Sequence, residues 1–149
     1  MATSNPLIQQ GYLNKLAASI TVPNFPNLNI TAGYLGKKQI SLALVGQSTT
    51  FIDTQVGAVI SPEPYVKATV RAALLKTQPL AAYWKLQMET QAAIGPITVT
   101  TDSTSFPYYN FLNCAIETVD GLTFSGTDAD YMVVVTGYYP QNASMWNLI

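Results

Sequence analysis

The side chains that could carry chemistry in this chain are carboxylates: Glu63 between two prolines, Asp102 after an expected strand, and Asp128 and Asp130 two apart. Paired acids can divide acid and base roles when their surroundings separate their proton affinities, so a hydrolase using Asp102 or Glu63 is one class to weigh. The stretch Gly126-Thr127-Asp128-Ala129-Asp130 has the composition of an ordinary polar turn, and it lacks the spaced oxygen ligands and glutamate of a calcium loop. Turn outweighs metal site. Ser103, Thr104 and Ser105 have no base to activate them, because the chain contains no histidine. Cys114 stands alone among Leu112, Asn113, Ala115 and Ile116, which reads as a buried thiol acting as a small hydrophobe. No glycine-rich phosphate loop occurs. The residues therefore predict no catalytic, metal-binding or cofactor-binding site.

The rest of the composition points to packing. Among 149 residues 48% are hydrophobic and only 10% charged, and seven Lys and Arg against eight Asp and Glu leave a formal charge of -1. That balance gives no basic footprint for holding phosphate backbones. A single cysteine argues against a disulfide scaffold and fits a reducing compartment. The first residues lack the pattern of a signal peptide, and no apolar run approaches the ~20 residues of a membrane span. Two sequons, Asn29-Ile30-Thr31 and Asn142-Ala143-Ser144, carry no weight by themselves. Nine tyrosines and two tryptophans are unusual; without interleaved basic residues they predict packing, with Tyr108, Tyr109, Tyr138, Tyr139 and Trp146 divided between core and subunit contacts.

The elements that must hold these residues are mostly strands. Pro23 to Asn29 reads as a loop or edge segment in which the prolines exclude a helix. Ile40, Leu42 and Leu44 alternate toward one face, and Gly46-Gln47-Ser48 predicts a hairpin returning through Thr50–Asp53. From Glu63 to Leu75 the even positions Val66, Ala68, Val70, Ala72 and Leu74 are apolar while Lys67, Thr69 and Arg71 are polar, which predicts one long strand with a packed and a wet face. A helix is expected from Pro79, with Leu80, Trp84 and Met88 as its buried stripe, Lys85 and Glu89 as a solvated pair, and Gly95-Pro96 as its stop. Ile97–Thr101 is expected as a strand, Asp120-Gly121 as a hairpin turn between Tyr108–Val119 and Leu122–Ser125, and Tyr131–Tyr139 as a strand needing cover on both faces. Ile40–Val45 and Ile97–Thr101 are the expected sheet edges. The whole reads as a mainly β, antiparallel sandwich or barrel of seven or eight strands with one helix, in a single domain over residues 1–149 with 1–17 as an N-terminal arm.

The run from Ser61 to Ala81 (SPEPYVKATVRAALLKTQPLA), the helix reaching Ala92, Ile97–Asp102, Tyr109–Ile116 and the strand closing on Gly137-Tyr138-Tyr139 together resemble tail tube proteins of contractile-tailed bacteriophages. The likeness covers most of residues 18–148 and lies in the order and texture of segments. It implies hexameric rings in which strands from all copies complete one continuous inner β-barrel, stacked into a hollow tube through which double-stranded DNA passes during genome ejection. It implies a virion location after assembly in the host cytoplasm, with sheath, baseplate, terminator and tape-measure proteins as partners. No catalytic residues carry over from that family. If the long strand lines such a lumen, Glu63, Lys67, Thr69 and Arg71 are the lumen-facing candidates. The inner tube of a secretion-type or tailocin-like device, and a monomeric ligand-binding β-sandwich, remain the alternatives.

Overall fold

The computed structural model describes residues 6–13 and 18–146. Within them the order is β1 (Ser19–Thr21), β2 (Leu35–Val45), β3 (Thr49–Asp53), β4 (Ala58–Pro62), β5 (Tyr65–Leu75), helix α1 (Pro79–Thr90), β6 (Ala93–Thr100), β7 (Tyr108–Asp120), β8 (Asp130–Pro140) and the four-residue helix α2 (Ala143–Trp146). Six strands form one sheet in the order β1-β6-β7-β8-β5-β2, antiparallel at every pairing, which curls into a half-barrel. The expected mainly β fold with one principal helix is the fold that forms.

Strand β5 shows why. Its even residues Val66, Ala68, Val70, Ala72 and Leu74 are all buried, and Lys67 and Arg71 on the other face are exposed, so period-two alternation sets one face inward. Around it the covered face collects Phe111, Cys114 and Ile116 of β7, Val133 and Val135 of β8, Ile97 and Val99 of β6, and Ile20 of β1. The two-faced apolar strand is β8: Tyr131, Val133 and Val135 are buried on the covered face, Val134 is buried on the other, and Tyr138 is exposed near its end.

Four expectations about the strands differ from the structure. β2 does not turn back onto β3; it pairs with β5, Leu42 opposite Val70, while β3 pairs with β4 alone, Phe51 opposite Ile60. The eleven-residue β5 offers β2 a long partner and a place for Ile40 and Leu42 against the core, which five-residue β3 cannot match. The strand expected from Glu63 to Leu75 starts two residues later, at Tyr65: β4 ends at Pro62, and Glu63 and Pro64 form the link between them. Gly121 does turn with φ of 74°, but Leu122–Ser125 forms no strand; β7 pairs instead with β8, which buries Tyr131, Val133 and Val135. Of the two expected edges, β2 is one. β6 is not, because β1 covers its other side, Ile20 opposite Val99.

Helix α1 starts where Pro79 fits, after Gln78 in extended conformation, but stops at Thr90, before Gly95-Pro96, and β6 runs through that pair. Its buried stripe is Leu80, Trp84 and Gln87; Met88 is 38% exposed. Gln87 takes the inner position because its Nε2 donates to the Gln91 carbonyl at 2.7 Å, satisfying a helix-end acceptor. Lys85 and Glu89 pair at 2.6 Å on the exposed side. The segment expected to exclude helix contains one 3-10 turn, Pro26–Leu28, whose Leu28 is buried beside α1. Among the described residues no helix is long and apolar enough to cross a membrane.

Candidate functional site

Lys67, Thr69 and Arg71 stand in one row on the open face of β5, with Tyr138, Thr136 and Val134 of β8 on one side and Val45, Ala43 and Ser41 of β2 on the other. Same-face neighbours along a strand are roughly 7 Å apart, so the two cations are spread rather than clustered. Neither takes part in an ion pair of the described residues. Glu63 does not join this row. It sits half-buried in the β4–β5 link, where its Oε1 accepts from Thr50 Oγ1 at 3.4 Å.

The β3–β4 hairpin is the second feature, and sequence reasoning missed it. Residues opposite one another in an antiparallel pair share a face, so Phe51 with Ile60 occupies one side and Ile52 with Val59 the other. All four are more than half exposed, and Val56 at the tip is 98% exposed. The hairpin is thus apolar on both faces and covered on neither. Its turn is tied by Thr54, whose N–H donates to the Gly57 carbonyl at 2.8 Å and whose hydroxyl accepts from Gly57 N–H at 3.0 Å. Its root is clamped to the end of β8: Asn142 Nδ2 donates to the carbonyls of Ser48 at 3.0 Å and Glu63 at 2.8 Å, and Ser48 Oγ donates to Gln141 Oε1 at 2.9 Å. The signal available in the sequence was the adjacent apolar pairs Phe51-Ile52 and Val59-Ile60, which cannot both face one side of a strand.

The residues weighed for catalysis do not converge. Asp102 is exposed beyond β6, while Asp128 faces Lys76 Nζ at 3.7 Å, and that ammonium also donates to the carbonyls of Thr123 and Asp128. Ser103 belongs to a turn in which its Oγ accepts from Phe106 N–H at 3.3 Å and its own N–H donates to Thr101 Oγ1 at 3.3 Å. Among the described residues no three His, Cys, Asp or Glu side chains gather as metal ligands. Cys114 is buried under β8, and desolvation pushes its thiol from 9.0 up to about 11, which keeps it protonated and unreactive at neutral pH. Both sequon asparagines serve the fold: Asn142 in the clamp, and Asn29 through Oδ1, which accepts from Val22 N–H at 2.8 Å.

Of the aromatics expected to divide between core and subunit contacts, two take the core share. Tyr109 and Tyr139 pack against the core with ring centroids 5.6 Å apart, whereas Tyr108 and Tyr138 are exposed. The Trp146 side chain lies outside the described residues, as do residues 1–5 and 14–17 of the expected arm. A groove of about 270 Å³ opens between α1 and the segment 121–129, lined by Trp84, Met88, Leu122 and Phe124 among others.

No family model matches this sequence, and no curated protein matches it either. Among solved structures the fold is similar to a chain of the cryo-EM structure of the anti-feeding prophage cap, a tube terminating cap, with a TM-score of 0.51 and 10% identity over 89% of this chain and 91% of that one. At that identity the likeness is one of fold.

Proposed function

We propose that this chain is a structural, non-catalytic subunit of the tube of a contractile, phage-tail-like particle, in which copies join into rings and rings stack. The observation that carries the reading is the β3–β4 hairpin, apolar on both faces and exposed on both. An isolated two-stranded hairpin is marginal in water, and an exposed apolar patch of this kind marks a surface that another protein covers. A second support is edge strand β2, whose outer side offers an unpaired row of backbone groups to a neighbouring copy. The fold shared with the tube terminating cap and the resemblance to tail tube proteins both favour this assembly.

On this reading six half-barrels close one inner β-barrel, and the open face bearing Lys67, Thr69 and Arg71 lines the lumen. Spread cations and a net charge of -1 let double-stranded DNA pass without holding it. The ring is built in the host cytoplasm and ends in the virion beside sheath, baseplate, terminator and tape-measure proteins. A second reading, favoured by the likeness to a cap, is a ring that closes one end of a tube instead of filling its length.

Negative-stain electron microscopy and sedimentation of the purified chain test both. Rings or tubes of constant diameter are expected, and they should persist in high salt, because backbone ladders and apolar contacts are little screened. Long tubes favour the tube subunit and single rings the cap. A chain that stays monomeric at every concentration overturns the assembly and leaves the ligand-binding alternative.

A further inference from the structure

Strand β7 ends on a dipeptide, Asp120-Gly121, that occurs once in the sequence, and the chain holds no Asn-Gly. Glycine after a carboxylate leaves the amide nitrogen between them unshielded, because no Cβ stands over it. The other aspartates are followed by Thr54, Ser103, Ala129 and Tyr131, each of which places a side chain there.

The fold adds the geometry. Gly121 N–H donates to Asp120 Oδ1 at 2.8 Å, so the carboxyl group is folded back toward the nitrogen of the next residue. Its Cγ, bonded to that oxygen, is drawn in with it, and intramolecular attack starts from reacting atoms about 3–3.5 Å apart. Both residues are exposed, and the ladder ends with Asp120 opposite Met132. Gly121 takes a φ of 74° and enters a tight turn, in which Thr123 N–H donates to the Gly121 carbonyl at 2.8 Å. Water reaches the site, and the strand does not continue through Gly121 to hold its peptide plane.

We propose that Asp120-Gly121 is a backbone modification site, at which aspartate converts to isoaspartate through a cyclic imide. The Gly121 nitrogen bonds to Cγ of the protonated carboxyl group; the proton on nitrogen and the carboxyl hydroxyl leave together as water. One water then adds back. Addition at Cγ restores aspartate. Addition at the Asp120 carbonyl carbon breaks its bond to nitrogen and leaves the main chain running through Cβ and Cγ. Atoms balance, and neither oxidant nor cofactor enters.

The product carries one more methylene in its main chain, just ahead of segment 121–129. Lys76 ties that segment down: its Nζ donates to the Thr123 and Asp128 carbonyls, and its N–H donates to the Ala129 carbonyl at 2.9 Å. The rearrangement therefore alters the Leu122 and Phe124 wall of the groove and leaves β5 and the hairpin as they are. It holds for the single protomer, apart from the assembly reading.

The test ages the folded full chain in warm neutral buffer and withdraws samples over weeks. An isoaspartyl methyltransferase with labelled S-adenosylmethionine marks isoaspartate and no ordinary aspartate, and peptide mapping locates the mark. A second sample, aged in guanidinium and diluted before labelling, gives the rate of the unfolded dipeptide. Label is expected in the peptide containing Asp120, accumulating at least as fast in the folded chain as in the unfolded one. It should vanish in Asp120→Glu, which keeps the charge but would have to close a larger ring. If that variant changes the circular dichroism spectrum, Asp120→Ser replaces it. Label confined to the unfolded sample shows that the sheet end protects the dipeptide and overturns the proposal. Label at Asp53 or Asp102 in place of Asp120, or label that persists in Asp120→Glu, overturns it as well.

Discussion

Strand β5 and the β3–β4 hairpin are neighbours in the chain, parted only by Glu63 and Pro64, and both are rich in β-branched and aromatic residues. In β5 every second residue from Val66 to Leu74 is apolar and disappears into the covered face of the sheet. In the hairpin they come in adjacent pairs, Phe51-Ile52 and Val59-Ile60, and remain in solvent on both sides. The difference separates two kinds of apolar strand: one whose cover is supplied by the same chain, and one that this chain leaves uncovered and that the proposed assembly would cover. It also predicts that mutations in the two regions fail differently, the first in the protomer and the second in the assembly.

The largest effect on the protomer is expected at Trp84. Trp84→Ala leaves a cavity between α1 and the sheet and should lower unfolding stability by about 3–5 kcal/mol in urea melts of the unassembled protein. Next comes Gly137, where an added Cβ would run into Cys114 Sγ and the Leu112 carbonyl. Gly137→Ala is expected to cost about 1–3 kcal/mol by overpacking, and an unchanged melt would show that the β7–β8 contact yields easily.

Alkali probes the covered face more gently. Burial raises Cys114 from 9.0 to about 11 and Tyr131 from 10.0 to about 12, so the unfolded chain loses these protons first. Stability present below about pH 9 should then decline as pH rises toward 11 and 12, with the first part of that decline absent in Cys114→Ala. Flat melts across this range would contradict the burial of both groups.

The smallest protomer effect is expected in the hairpin. Phe51→Asp with Ile60→Asp should shift the protomer melt by no more than about 0.5 kcal/mol, yet abolish rings in electron micrographs. A loss as large as that of Trp84→Ala would place the hairpin in the core and erase the contrast. Edge strand β2 sharpens it further: of Ser41→Pro and Leu42→Pro, one removes a donor to β5 and the other a donor facing outward, because ladder donors alternate along an antiparallel strand. The second kind should leave a folded protomer that no longer assembles, as read by light scattering.

What the sequence could reveal follows the same division. Alternation in β5, the proline start of α1 and the burial of Cys114 are local patterns, and each was legible from a few residues. The partner of β2 was not, since Gly46-Gln47-Ser48 permits a hairpin and only competition from the longer β5 decides against it. The place of Gln87 on the buried stripe depends on a bond to Gln91 that hydrophobicity does not encode. Of the lumen-facing candidates, Lys67, Thr69 and Arg71 share a row as their spacing required. Glu63 left it because two prolines ended one strand before the next began.

The clamp at the hairpin root has a mechanical consequence. A pull on the hairpin reaches β5 through the short Glu63–Pro64 link and, through Asn142 and Gln141, the end of β8 as well. β5 is held between β8 and β2, and all eleven of its residues are paired with β8, from Tyr65 opposite Pro140 to Leu75 opposite Asp130. Because Tyr65 and Pro140 lie at the same end of this ladder, β5 and β8 share the pull and pass it as shear to their outer neighbours β2 and β7, where the hydrogen bonds resist together instead of peeling one at a time. The hairpin is in this sense a handle anchored to two central strands of the sheet, and in the proposed assembly it would carry axial force from one subunit to the next.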